Sequence, residues 1–153
     1  MYLSEQLKVV GIGTTVDYND GFTGDSINIT TLHHVMFVLI FGAVTGNAVL
    51  TVKSGASAGT QTTAETFNYR YGTATIGSAS ADVYSAWASS SGLTLTAATY
   101  GSTVVVVEID PDTVTAGQPW LTLALSNAAS AGILGVCAVC TPRYEGIAQP
   151  TAI

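Results

Sequence analysis

The chain has 153 residues and a formal net charge of −6; 48% of its residues are hydrophobic and only 9% are charged. That length carries one domain with a real core rather than two, and its four dispersed cations, Lys8, Lys53, Arg70 and Arg143, cannot build a phosphate-neutralising patch, which excludes direct nucleic-acid binding as an expectation. A charge fraction so far below the roughly 25% of typical soluble domains predicts a surface partly covered by copies of the chain or by a larger partner.

In chain order, Met1–Val10 places Leu3, Leu7 and Val10 at helical spacing. A segment this short is marginal alone, so residues 1–14 are expected to form a flexible N-terminal arm that orders on contact. The start carries Glu5 and lacks the apolar stretch of a signal peptide. The longest apolar run, Val35–Ala43, falls short of the ~20 residues a membrane helix needs, so no membrane partner is expected. Thr14–Asp25 is polar, and Asp17, Asn19, Asp20 and Asp25 superficially suggest a calcium loop. Counting from Asp17, the fifth position is Gly21 and the twelfth Asn28, so the EF-hand order fails. An Asx-rich loop without metal is the expectation.

Ser26–Ile29 alternates as a strand, and His33–Phe41 follows with both faces apolar, as in a central strand or one under a subunit contact. His33 and His34 are the only histidines and point opposite ways. Gly46-Asn47 predicts a tight turn into Ala48–Lys53 and so a hairpin with the preceding strand. Ser54–Thr63 reads as a flexible loop without the lysine of a phosphate-binding loop. In Phe67–Tyr71 the aromatics alternate opposite Arg70, which reads as cross-strand packing, the alternative being a platform for glycans or bases. Asp82–Trp87 is expected as a further strand, and Leu93 and Leu95 mark the next.

The densest signal is Ser102–Tyr144. Three β-rich runs lie there, Thr103–Asp110, Trp120–Leu125 and Ile133–Thr141, the first stopped by Asp110-Pro111-Asp112. Val105, Val107 and Ile109 share one face, as do Leu121, Leu123 and Leu125. Cys137 and Cys140 have the C-x-x-C spacing of redox and zinc motifs, but three residues apart on a strand they face opposite ways, and a zinc site needs two more ligands. They read as small buried apolar side chains. Glu108 and Asp110 would share a strand face, as a paired acid and base must, yet acids at a strand end need no function. No nucleophile elbow is present. No catalytic residue, metal or cofactor is therefore assigned, and no enzyme is expected. Eight to ten short strands with regular turn signals predict an all-β fold, an antiparallel two-sheet β-sandwich of jelly-roll type over residues 15–144, between the arm (1–14) and a flexible C-terminal tail (145–153).

The block VVVVEIDPDTV, then QPWLTLALSNAASAGILGVCAVCTPRYE and the terminal QPTAI, resembles a family of small structural proteins of tailed bacteriophages, encoded close to the major capsid protein. GDSINITTLHHVMFVLIFGAVTGNAVLTV is similar to that family's first half, so the resemblance spans Gly24–Ile153, with Ser54–Thr99 its least specific part. The C-x-x-C departs from the pattern. The resemblance implies a capsid decoration, or cement, protein: a homotrimer on the outer surface of the head, made in the host cytoplasm, tying subunits of the major capsid protein together against internal DNA pressure. The expected contacts lie at the two chain ends, at Tyr2, Leu3, Leu7, Arg143, Tyr144, Ile147 and Ile153. The runner-up is a tail- or fibre-associated module that binds host surface glycans through FNYRY and Trp87; a hydrolase using Glu108 and Asp110 ranks far behind.

Overall fold

The computed structural model describes residues 6–14, 16–126 and 132–143. Its strands are β1 (Lys8–Gly11), β2 (Val16–Asp17), β3 (Phe22–Thr23), β4 (Ile27–Asn28), β5 (Leu32–Val44), β6 (Ala48–Gly55), β7 (Thr63–Glu65), β8 (Phe67–Tyr71), β9 (Ala88–Ser90), β10 (Leu93–Leu95), β11 (Val104–Ile109), β12 (Trp120–Leu125) and β13 (Gly132–Pro142). A single helical turn, α1 (Ala97–Tyr100), precedes β11, and a 3-10 turn (Pro111–Thr113) follows it. Among the described residues no helix is long and apolar enough to cross a membrane.

The strands make two antiparallel sheets. The first runs β1-β13-β5-β11-β8-β9, with β2 also on β13. The second runs β10-β6-β12-β3, with β4 on β12 and β7 on β6. Count β1, β3 with β4, β5, β6, β10, β11, β12 and β13 as successive positions one to eight. The first sheet then reads 1-8-3-6 and the second 5-4-7-2, which is the strand order of a jelly roll. Position one pairs with eight, two with seven, three with six and four with five. The chain is thus one long antiparallel ribbon rolled into a sandwich, and the β8–β9 hairpin is an insertion that widens the first sheet beyond β11. The all-β, two-sheet jelly roll expected from the sequence is the observed fold.

Alternation explains the core. Val35, Phe37, Leu39 and Phe41 of β5 are fully buried, as are Leu50 and Val52 of β6. Leu50 pairs with Leu125 and Val52 with Leu123, so the leucines of β12 fall on the same inner face. Val105, Val107 and Ile109 of β11 complete it from the first sheet. Asp110 ends β11 by capping the turn after it: its Oδ1 accepts from the Asp112 N–H at 2.9 Å, with Pro111 at the first position of the turn.

Three expectations need correction. β5 and β6 do not form a hairpin. They lie in different sheets, and Gly46-Asn47 sits in a connection that carries the chain across the sandwich, because positions three and four of a jelly roll face each other. Asp82–Trp87 is not a strand: only Tyr84 makes an isolated bridge, to Gly72, and Val83 and Trp87 are exposed rather than alternating into a core. Within the expected arm, Lys8–Gly11 is a strand paired along its whole length with β13, and Ile12 is buried in the core. The period of two through Val10 and Ile12 overrides the helical spacing of Leu3, Leu7 and Val10, because pairing with β13 satisfies the backbone. No local pattern signals that Tyr18, inside the polar loop, is fully buried edge-on to Phe41 at 6.0 Å. Glycine is required at 132, where a Cβ would lie 2.5 Å from the Tyr18 ring.

Ser54–Thr63 is less open than expected. β6 continues to Gly55 and turns back into β7. Buried Glu65 accepts from Ser54 Oγ (2.5 Å) and from the Thr115 N–H (3.1 Å), tying this hairpin to the segment before β12. Glu65→Leu leaves the Thr115 N–H without its acceptor and Ser54 Oγ with Gln118 Oε1 alone, and is expected to destabilise the fold by about 1–3 kcal/mol, whereas Glu65→Gln, which keeps an acceptor, costs much less; thermal melts of the two variants check this. Gly55 meets the Thr60 backbone, whose oxygen would lie 2.2 Å from an added Cβ. Gly55→Ala is expected to lower stability by about 1–3 kcal/mol in denaturant titration.

Candidate interaction surface

The residues that alternate with the core on the first sheet point outward, and they are apolar. Along β5 these are Met36, Val38 and Ile40; Val106, itself only 6% exposed, and Val104 pair beside Val38 and Ile40 on β11, and Val139 and Cys137 pair beside Met36 and Val38 on β13. Val9 of β1 pairs with Val139 and is 66% exposed, and Ile40 is 51% exposed. The second sheet is finished differently. Its outward positions include Thr51, Lys53 and Thr122, and Ser26, which hydrogen-bonds Thr122 at 2.8 Å, also accepts from the Gly59 N–H of the β6–β7 turn. The outer face of the second sheet thus mixes polar groups with half-buried Val49 and Trp120 and buried Ala124, whereas the first sheet exposes Val9 and Ile40.

Polar groups border that face. His34 Nε2 lies 3.0 Å from Glu108 Oε2, joining β5 to β11 at one end. On β8, Arg70 alternates with Tyr69 and Tyr71, which pack against the core, so Arg70 points outward beside Val106. The loop from 72 to 87 returns over it. Its backbone is tied down by Gly72 N–H to Val104 O, Ile76 N–H to Ser102 O and Ser85 N–H to Tyr71 O. The Arg70 guanidinium then sits 4.8 Å from the Tyr84 ring centroid and 4.6 Å from that of Trp87. Ile76, Val83 and Trp87 on this loop are all large, apolar and exposed. Alternation in FNYRY foretold the outward Arg70. Nothing in the sequence foretold its aromatic partners, or the His34–Glu108 pair.

Of the residues expected to make contacts, Leu7 is half-buried just before β1, and Arg143 lies just past the end of β13. The Arg143 Nε donates to Leu32 O at 2.8 Å and its NH2 group pairs with Asp112, so its charge serves its own chain. It also lines an open groove of about 320 Å³ with Ile29, Pro111, Val114 and Pro119. Tyr2, Leu3, Tyr144, Ile147 and Ile153 lie outside the described residues. Asp17 Oδ1 accepts from the N–H groups of Asn19 and Gly132, the behaviour of an Asx turn. Among the described residues no group of three His, Cys, Asp or Glu side chains is placed to hold a metal. Glu108 is hydrogen-bonded to His34, and Asp110 accepts from the Asp112 N–H. Phe67 is buried and Tyr69 and Tyr71 pack on the core, so FNYRY offers no aromatic platform.

No protein-family model matches the chain, and no curated protein sequence does. Among solved structures, the SPBc2 prophage-derived protein YomS is similar with a TM-score of 0.48 and 7% sequence identity, over 88% of this chain and 91% of that one. The jelly-roll assignment rests on the strand ladders of the chain itself.

Cys137 and Cys140 do face opposite ways. Cys137 is half-exposed on the outer face and Cys140 is buried inside; neither is in a disulfide. Burial pushes the Cys140 thiol up to about 11 and the Tyr100 hydroxyl up to about 12, from ordinary values of 9.0 and 10.0. Both groups therefore hold their protons longer in the folded chain. Their contribution to stability is complete below pH 9 and is lost as pH rises through 11 to 12, because the unfolded chain releases those protons first. The denaturation midpoint should be flat up to pH 9 and fall above it, and Cys140→Val should make that fall shallower.

Proposed function

We propose that the chain is a structural component of a phage virion, bound as an oligomer to the outer surface of the head, where it stabilises the capsid lattice. The resemblance of Gly24–Ile153 to small phage structural proteins supports this reading, and the homotrimer and the major capsid protein as partner come from that resemblance. The observation that carries it is the apolar outer face of the first sheet. A monomeric domain seldom leaves such a face in water, and the sequence has too little charge to mask it elsewhere.

The mechanism is additive. Apolar area removed from water contributes roughly 25 cal/mol per Å², and a stable contact buries about 800 Å² on each partner. An oligomer that repeats one modest contact with the shell gains avidity, since the second contact forms at high effective concentration. Neighbouring capsid subunits are then held together without any covalent step. The glycan-binding alternative loses its platform, because the aromatics of FNYRY pack inward; Trp87 alone, stacked on Arg70, keeps it in play.

The test is co-sedimentation of the purified chain with expanded or genome-filled heads of the phage that encodes it. Saturable binding and a higher temperature of DNA release from the heads are expected. Recovery with host envelope or its glycans but never with heads would overturn the reading in favour of the alternative.

A further inference from the structure

We propose that the apolar outer face of the first sheet is the docking surface for a second copy of this chain, and that Arg70 receives a carboxylate from that copy. The inference deepens the structural-virion reading and rests on its oligomeric part.

Charge selects the occupant. Each copy carries ten carboxylates against four Lys and Arg, so two copies repel across most of their surfaces. The outward positions of β1, β13, β5, β11 and β8 hold one carboxylate, Glu108, which is hydrogen-bonded to His34. A second copy approaching the middle of this face therefore meets little negative charge.

Arg70 supplies the directional element. It lies at the β8 side of the face, held against Tyr84 and Trp87, and among the described residues it makes neither an ion pair nor a hydrogen bond. Its Nε is buried without an acceptor. A guanidinium fixed by stacking has already lost most of the freedom that a bidentate contact would cost. The group that completes it is a carboxylate, and the chain itself has carboxylates in excess, with Asp20, Asp25 and Asp82 exposed. An apolar centre bordered by Trp, Tyr and Arg is also the composition of the energetic core of protein–protein contacts. Docking this face on a different, acidic region of the next copy is a head-to-tail arrangement, which closes into a ring when the rotation permits.

Sedimentation velocity on the full chain across a micromolar range tests the proposal. The native chain should associate. Arg70→Ala should weaken association roughly ten- to hundredfold at a fixed salt concentration. Arg70→Lys should not restore it, since an ammonium lacks the planar fork. Val38→Asp should give a monomer with the native far-ultraviolet spectrum; if it does not fold, Ile40→Asp, at a half-exposed position, makes the same test. A monomeric native chain overturns the proposal, including one whose outer face is covered by its own terminal residues. So does native-strength association of the folded Arg70→Ala and Ile40→Asp variants. Head binding by a monomer would sink this inference and leave the structural-virion reading standing, whereas oligomers that ignore heads would do the reverse.

Discussion

The fold depends on one insertion: β13, the last strand, lies between β1, the first, and β5, the third position of the roll. The β13–β5 ladder runs from Gly132 opposite Val44 to Pro142 opposite Leu32 and is the longest in the molecule among the described residues. Until it forms, β5 has one paired edge and β1 has no partner. The closure joins residues about a hundred positions apart, so loop entropy is lost before the contacts repay it, and slow folding of the kind seen in β-sandwiches follows. Register is a second problem. Both faces of β5 are apolar, so hydrophobic pattern alone would tolerate a slip of one residue. Size breaks the tie: Phe37 lies between Ala138 on β13 and Val107 on β11, and a slip would put that ring outside and Met36 in its place.

The two sheets finish their outer faces differently. On the second sheet, threonine and lysine point outward among half-buried Val49 and Trp120 and buried Ala124, and the β6–β7 turn folds back to hydrogen-bond Ser26. On the first sheet valine, methionine and isoleucine point outward, and the loop from 72 to 87 borders them with three more exposed apolar side chains. Both faces come from the same chain and the same fold, so the difference is not a demand of the jelly roll. It is the physical basis for the proposal that the first sheet is a binding surface.

How much of this the sequence disclosed follows the range of each interaction. Trp120–Leu125 was legible to the residue, because alternation within a strand needs no knowledge of its partner. The opposite faces of Cys137 and Cys140, and the outward Arg70, were legible for the same reason. Gly46-Asn47 was misread as a hairpin turn because turn chemistry specifies a reversal but not which sheet receives the next strand. Val83, Ser85 and Trp87 alternate, yet the segment is not a strand, since the roll leaves no unpaired edge inside the core for it. The His34–Glu108 pair spans 74 residues and the burial of Tyr18 depends on Gly132 across the sheet; neither has a local signature. The expected contact residues were placed at the chain ends, where the described residues include only Leu7 and Arg143, whereas the apolar face lies in the middle of a sheet.

Topology also determines when that face exists. Its residues come from β1, β5, β11 and β13, which lie side by side only once β13 is inserted. Before β13 enters, Val9 has no neighbour at Val139, and Met36 and Val38 border an open edge rather than a continuous surface. A partly folded chain therefore cannot present the whole patch, and association through it is conditional on completed folding. For an acidic chain rich in apolar strands this ordering matters, because unpaired edges and apolar runs are what drive non-specific aggregation. The same nested pairing that makes the fold slow to close keeps this apolar face unformed until the edges are protected.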